Sequence, residues 1–229
     1  MSGYREVLDE ASAACLALGI RILQGCRLAP TDEAHCSELL RRLNPPPGAK
    51  ILDVGCGFGE VARLMGRERR DLRFVLLNEN AGQLAHAPTR FPRIRADLHA
   101  IPLADASVDV VMFLYVLCHS DLDCALAEAA RVTRPGGELF VYDYARTAGN
   151  NTLMRKRLYA RAPRWHEWVN AMHATGWQVY DFEAPGGSDA VFRRAYGNDA
   201  EYDRIFAELV PMIWRARRSP NASADETRV

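Results

Sequence analysis

Net charge is the first thing this sequence lacks: 29 Lys and Arg offset 29 Asp and Glu, leaving a formal charge of +0. Without an overall field there is no general attraction to nucleic acid or to an anionic bilayer. The six cysteines (Cys15, Cys26, Cys36, Cys56, Cys118 and Cys124) include no C-x-x-C pair. A zinc site or disulfide framework is therefore not expected, and a reducing cytoplasm is the simplest setting. No run approaches the ~20 apolar residues that span a bilayer. The N-terminal stretch is not expected to act as a signal peptide, because Glu6, Asp9 and Glu10 rather than basic residues precede the apolar patch Ala11–Ile20. Neither an internal repeat nor a low-complexity segment occurs, and no constellation of side chains demands a metal.

What is present suits one α/β domain. The chain has 229 residues, 48% hydrophobic and 25% charged. Its organising stretch is Ile51-Leu52-Asp53-Val54-Gly55-Cys56-Gly57-Phe58-Gly59-Glu60. An apolar run ends in a glycine-rich turn, and the helical pattern Val61, Ala62, Leu64, Met65 follows. Such a turn lets the main chain approach a ligand closely, and the next helix aims its free N–H groups at the same spot. The spacing is G-x-G-x-G, and Glu60 stands where a dinucleotide fingerprint places its last glycine.

This hydrophobic-Asp-x-Gly-x-Gly-x-Gly pattern resembles motif I of the class I methyltransferases that use S-adenosylmethionine. The resemblance implies a Rossmann-like, doubly wound, seven-stranded sheet, with Asp53, Gly55, Gly57 and Gly59 around the methionine part of the cofactor. Further segments match in order over residues 50–145. Asp97-Leu98 is similar to the motif that brackets the adenine. Ile101-Pro102-Leu103-Ala104-Asp105-Ala106-Ser107-Val108-Asp109 and Arg131-Val132-Thr133-Arg134-Pro135-Gly136-Gly137 resemble the segments before the fourth and fifth strands. Leu77-Asn78-Glu79-Asn80-Ala81-Gly82-Gln83-Leu84 is similar to a segment of the sterol C-methyltransferases and, more loosely, of prenyl-diphosphate C-methyltransferases. By this resemblance Asn78, Glu79, Gln83 and Leu114 join the cofactor-binding set.

The chain divides into an N-terminal helical segment (1–44), a methyltransferase domain (45–217) and a polar tail (218–229). A first helix is expected over residues 4–24, and a second runs from an N-cap at Thr31 to Leu43. This segment either packs on the sheet or forms a lid that excludes water from a reactive sulfonium. The last strand, near 210–216, is expected to insert antiparallel, as is usual in the family.

Tyr115 and His119 follow the fourth strand, and Cys118-His119 resembles the Cys-His pair of sterol methyltransferases. Tyr142 and Tyr144 share a face of the fifth strand, with Asp143 opposite. Tyr115, His119 and Tyr144 are the catalytic candidates: aromatic faces for a carbocation, and an imidazole that titrates near neutrality. His119 is alternatively a helix-start residue, and Tyr142 a core aromatic. Arg157, Arg161 and Arg164 fall on one face if a single helix carries them, and arginine forks suit diphosphate oxygens. They are either a clamp for an anionic substrate or a solvated face. Trp165 beside them lines either an apolar pocket or the core.

The expected function is S-adenosylmethionine-dependent methylation of a small molecule. The preferred reaction is C-methylation of an isoprenoid alkene, with a prenyl diphosphate as one form of acceptor. The alternatives are O- or N-methylation of a natural product with His119 as base, and a cofactor-fold binding subunit without catalysis. Nucleic acid is not an expected partner, since Phe113-Leu114-Tyr115-Val116 stands in place of an Asn-Pro-Pro-Tyr-type segment, and neither is a membrane, given the balanced charge and the short apolar runs. Self-association is left open.

Overall fold

The computed structural model describes residues 2–23, 25–196 and 200–220. Its order is α1 (Ser2–Ala17), α2 (Asp32–Leu43), β1 (Lys50–Val54), α3 (Glu60–Glu68), β2 (Arg73–Asn78), α4 (Ala81–Ala85), β3 (Arg93–Arg95) and β4 (Val108–Leu114). A 3-10 turn (Leu117–His119) leads to α5 (Leu122–Val132), β5 (Thr133–Arg146), α6 (Thr152–Leu158), α7 (Trp165–Ala174) and β6 (Trp177–Glu183). Then come α8 (Ala190–Tyr196), α9 (Ala200–Ala207) and β7 (Leu209–Arg218).

The strands form one seven-stranded sheet in the order β3-β2-β1-β4-β5-β7-β6. Strands β1 to β5 pair in parallel, and β7 enters antiparallel to both neighbours. This is the doubly wound sheet expected from the motifs. The order reverses between β1 and β4, where such sheets open a crevice at the strands' C-terminal ends.

Helices cover both faces, so central strands read as nearly continuous apolar runs. Along β1, Leu52 and Val54 join a core with Val111, Phe113, Trp168 and Trp214, whereas Ile51 joins Phe74, Met112, Phe140 and Leu39 on the other face. Burying each such side chain contributes about 1.5–3 kcal/mol. Asp53 shares the period of Ile51 and is only 2% exposed, so the alternation drives a carboxylate inside.

Helix α1 ends at Ala17, well short of the expected residue 24. Gly19 adopts φ +70°, and Ile20 N–H returns to the Cys15 carbonyl at 2.8 Å, a left-handed ending that glycine permits. Residues 20–23 then run on in non-helical form, and an isolated bridge pairs Arg27 with Ser188. Helix α2 begins as expected, with Thr31 Oγ1 accepting from Ala34 N–H at 3.2 Å. Of the polar tail, residues 221–229 lie outside the described residues. No described helix is long and apolar enough to cross a membrane.

Candidate active site

The glycine turn after β1 is held from below: Gly55 and Cys56 both donate to the Leu77 carbonyl, at 2.8 and 3.1 Å. Gly55 has φ +68°, and a Cβ there would run into the Val116 side chain. Gly57 has φ +54°, and a Cβ there would meet nothing nearer than Leu23, 3.9 Å away. Glycine at 57 therefore keeps a space open. That space belongs to a cavity of about 220 Å³ reaching from the turn, past the end of β4, to α6 and α9.

At the turn, the cavity is bordered by Asp53, Asn78 and Gln83. Asp53 Oδ2 is buried without a hydrogen-bond partner, and desolvation pushes the carboxyl up to about 7. Asn78 Nδ2 donates to Gln83 Oε1 at 2.8 Å and to the Gly57 carbonyl at 3.3 Å. Gln83 Nε2 donates onward to Ser12 Oγ at 2.7 Å, and Asn80 Nδ2 to Asp9 Oδ1 at 2.7 Å. Helix α1 is thus bonded to the rim, and Arg21, Ile22 and Leu23 also border the cavity.

At the β4 end, Tyr115 takes φ +56°, an uncommon backbone for a bulky residue. Its ring lies 4.7 Å from that of Tyr142 and 4.9 Å from that of Tyr144. Tyr142 donates to the Cys26 carbonyl at 3.3 Å. The hydroxyls of Tyr115 and Tyr144 are buried and make no hydrogen bond among the described residues. Burial holds all three phenols well above their ordinary value, so they remain protonated donors. Asp143, opposite on β5 and fully buried, accepts from Cys118 N–H at 3.2 Å and Tyr144 N–H at 2.8 Å. Burial raises its carboxyl to about 6 against the pull of these bonds. It fixes the turn that carries His119 to the rim. The His119 side chain keeps an exposed part, but crowding by neighbouring atoms lowers its pKa below the ordinary imidazole value; its Nδ1 lies 3.4 Å from the Tyr159 carbonyl.

Of the residues singled out from sequence, Asp53, Gly55, Gly57, Asn78, Gln83, Leu114, Tyr115, His119, Tyr144 and Arg157 border this cavity. Gly59 does not; it starts α3, and a Cβ there would press on Pro88 at 2.8 Å. Glu79 is exposed outside the cavity lining. Asp97 and Leu98 also lie outside it: Asp97 meets His99 Nδ1 at 2.6 Å, and Leu98 packs on the core.

The shared arginine face is not formed. Helix α6 stops at Leu158, Tyr159 turns left-handed at φ +51°, and Arg164 is the N-cap of α7. Arg161 and Arg164 are exposed away from the cavity. Arg157 is ion-paired with Glu201 and lies over the Tyr202 ring at 4.9 Å. Trp165, 57% exposed, stacks on Phe182 over a separate groove. The sequence reading missed Arg21, Gly25, Tyr202 and Phe206, which chain folding alone brings to the cavity. No group of three or more His, Cys, Asp or Glu that could hold a metal occurs among the described residues.

The residues at the turn fit a zwitterionic, ribose-bearing donor. An orphaned buried carboxylate oxygen calls for a cation, the open space at Gly57 admits a ligand against main chain, and Asn78 and Gln83 offer polar atoms beside it.

Comparison with known proteins agrees. The family model described as Methyltransferase domain matches residues 52–141. A malonyl-[acyl-carrier protein] O-methyltransferase of Methylococcus capsulatus is 34% identical over 140 residues, covering 58% of this chain and 49% of that protein. The chain spans about half the length of the curated relatives it matches. Among solved structures, the [4+2]-cyclase SpnF superposes with a TM-score of 0.77 at 18% identity, over 95% of this chain and 94% of that one. The geranyl diphosphate C-methyltransferase of Streptomyces coelicolor A3(2), in complex with Mg2+, geranyl diphosphate and S-adenosyl-L-homocysteine, gives 0.70 at 13% identity over 82% and 80%. Residues 52–141 thus match a methyltransferase domain, and the whole described chain has the fold of these solved structures.

Proposed function

We propose that this protein transfers a methyl group from S-adenosylmethionine to an uncharged, largely apolar small molecule. The observation that carries the proposal is the unpartnered Asp53 carboxylate oxygen at the glycine-lined end of a cavity whose other end is aromatic and aliphatic. Asp53 would take the donor's ammonium, Arg21 its carboxylate, and Asn78 with Gln83 its ribose hydroxyls. When bound there, the donor supplies an electrophilic methyl group. The chain's part is then to hold a nucleophile about 3–3.5 Å from that carbon and to exclude water. We take α1 and the non-helical residues 20–23 after it as the lid that does so.

Alkene C-methylation of an isoprenoid draws support from the clustered tyrosine rings, whose faces favour a developing cation. His119, neutral at pH 7, would remove the final proton. Methylation of an oxygen or nitrogen with His119 as base draws support from the same imidazole at the rim. A diphosphate acceptor draws little, because Arg157 at the cavity is already engaged by Glu201.

A screen with labelled S-adenosylmethionine tests this. Geraniol, isopentenyl, dimethylallyl and geranyl diphosphates, sterols and phenols would be offered together with the protein. Label in neutral acceptors supports the proposal. Label confined to diphosphates would contradict the uncharged acceptor, and no transfer with no donor binding would reject the assignment.

A further inference from the structure

The two ends of the cavity are covered by different parts of the chain, and those parts are joined. Phe58 lies inside the glycine turn and is 2% exposed; it forms a small apolar cluster with Cys15 of α1 and Ile20 just beyond that helix. Val191 of α8 packs against the same cluster. Two residues on, Arg193 pairs with Asp189 at 2.7 Å and with Asp203 of α9 at 2.5 Å, and its guanidinium lies over the Phe206 ring at 5.3 Å. Phe206 and Tyr202 of α9 wall the cavity at the end away from the glycine turn.

The lead into α8 is seated on the segment that follows the lid. Arg27 N–H donates to the Ser188 carbonyl at 2.8 Å, and Ser188 N–H returns to the Arg27 carbonyl at 2.9 Å. Gly187 has no room for a side chain: a Cβ there would lie 2.4 Å from Cys26 Sγ and 2.6 Å from the Arg27 carbonyl oxygen. Helices α8 and α9 have only seven and eight residues. Helices this short are marginal by themselves in water, so their order depends on what they pack against. For α8 that support includes the lid and the glycine turn, and for α9 it includes Arg193.

We infer that α1, α8 and α9 form one coupled cover, so that a donor seated at the glycine turn orders the α9 wall of the cavity as well as the lid. This rests on reading α1 as a lid over the donor, and it adds that donor binding prepares the opposite end of the cavity. A ligand that stabilises the lid and the turn stabilises what packs on them, and the coupling is reciprocal: loosening one part loosens the others.

The test is amide hydrogen exchange, read by mass spectrometry on the full chain, free and saturated with S-adenosylhomocysteine. In the wild type this ligand is expected to slow exchange about 5-fold or more in α1, α8 and α9 alike. Arg193→Gln should keep the slowing in α1 and α8 and lose it in α9. Val191→Ala should keep it in α1 and lose it in both α8 and α9. Exchange in β4 and β5 as slow as in the wild type checks that each variant is folded. Slowing confined to α1 in the wild type, or slowing of α9 that survives in either variant, overturns the inference. A further arm needs no ligand. Ser12→Ala, which removes the bond from Gln83 to α1, should speed exchange of the free protein in α8 and α9 as well as in α1. Unchanged exchange in α8 and α9 overturns the inference as well. The donor assignment fails separately, by absence of S-adenosylhomocysteine binding in a calorimeter; the Ser12→Ala arm then decides the coupling by itself.

Discussion

The Gln83 carboxamide donates to the Ser12 hydroxyl at 2.7 Å, joining α4 to the first helix of the chain. Gln83 is also the acceptor for Asn78, so the bond couples α1 to the corner proposed for the donor's ribose. Ser12→Ala leaves a buried amide N–H unpartnered, a loss of about 1–3 kcal/mol. It is expected to weaken donor binding about 5- to 10-fold and to increase proteolysis within residues 8–23. Titration calorimetry and limited proteolysis check both; unchanged values in both would show that α1 is no lid.

Asp53→Asn removes the proposed partner of the donor's ammonium. Hydrogen bonds to charged groups contribute about 1.5–3 kcal/mol, so donor affinity should fall about 10- to 100-fold.

The same variant carries a stability signature in the free protein. Asp53 is raised from 3.8 to about 7 when folded, so the folded state holds a proton that the unfolded chain has lost across that window. Stability contributed by this group therefore falls as pH rises from about 4 to about 7. Asp53→Asn should be more stable than wild type at pH 7.5, by on the order of 4 kcal/mol at most, with the gap closing towards pH 4. Asp143, raised to about 6, adds a slope of the same sign, and His35, lowered to about 3, one of the opposite sign. Both are common to the two proteins, so the difference between their denaturation midpoints isolates Asp53.

Gly55→Ala places a methyl group against Val116 at φ +68°. A loss of about 1–3 kcal/mol in stability is expected, with donor binding reduced further by the displaced turn. Chemical denaturation and calorimetry measure the two effects; an alanine tolerated in both would contradict the cradle.

The three arginines should separate. Arg161→Ala and Arg164→Ala are exposed changes away from the cavity and are expected to leave acceptor KM within twofold. Arg157→Ala strips the partner from Glu201 and the cation from Tyr202, and should raise acceptor KM several-fold. Equal effects of all three would restore the clamp that the α6 ending at Leu158 argues against.

What was legible in the sequence was chiefly what is local. Strand β1, the glycine turn and α3 follow from adjacent residues, because apolar alternation, positive φ and helix initiation are settled within a few positions. Asp53, Asn78 and Gln83 came instead from the resemblance of motif I and of the Leu77–Leu84 segment, and the fold brings all three to the cavity. The arginine face required one helix from Arg157 to Arg164, across Pro163, but the chain turns left-handed at Tyr159 and α7 starts at Trp165. Similarly, helical spacing to residue 24 was overruled by Gly19. Arg21, Gly25, Tyr202 and Phe206 carry no motif at all. They reach the cavity because α1 folds back over the turn and α9 packs beside α6, contacts that only the tertiary structure supplies.

The glycine-lined end of the cavity is most directly tested by titrating the wild-type protein and Asp53→Asn with S-adenosylhomocysteine in a calorimeter. One site per chain in the wild type, weakened about 10-fold or more in the variant, is the predicted result. Absence of heat with this ligand and with S-adenosylmethionine, alongside tight uptake of a nicotinamide or flavin nucleotide, would contradict it.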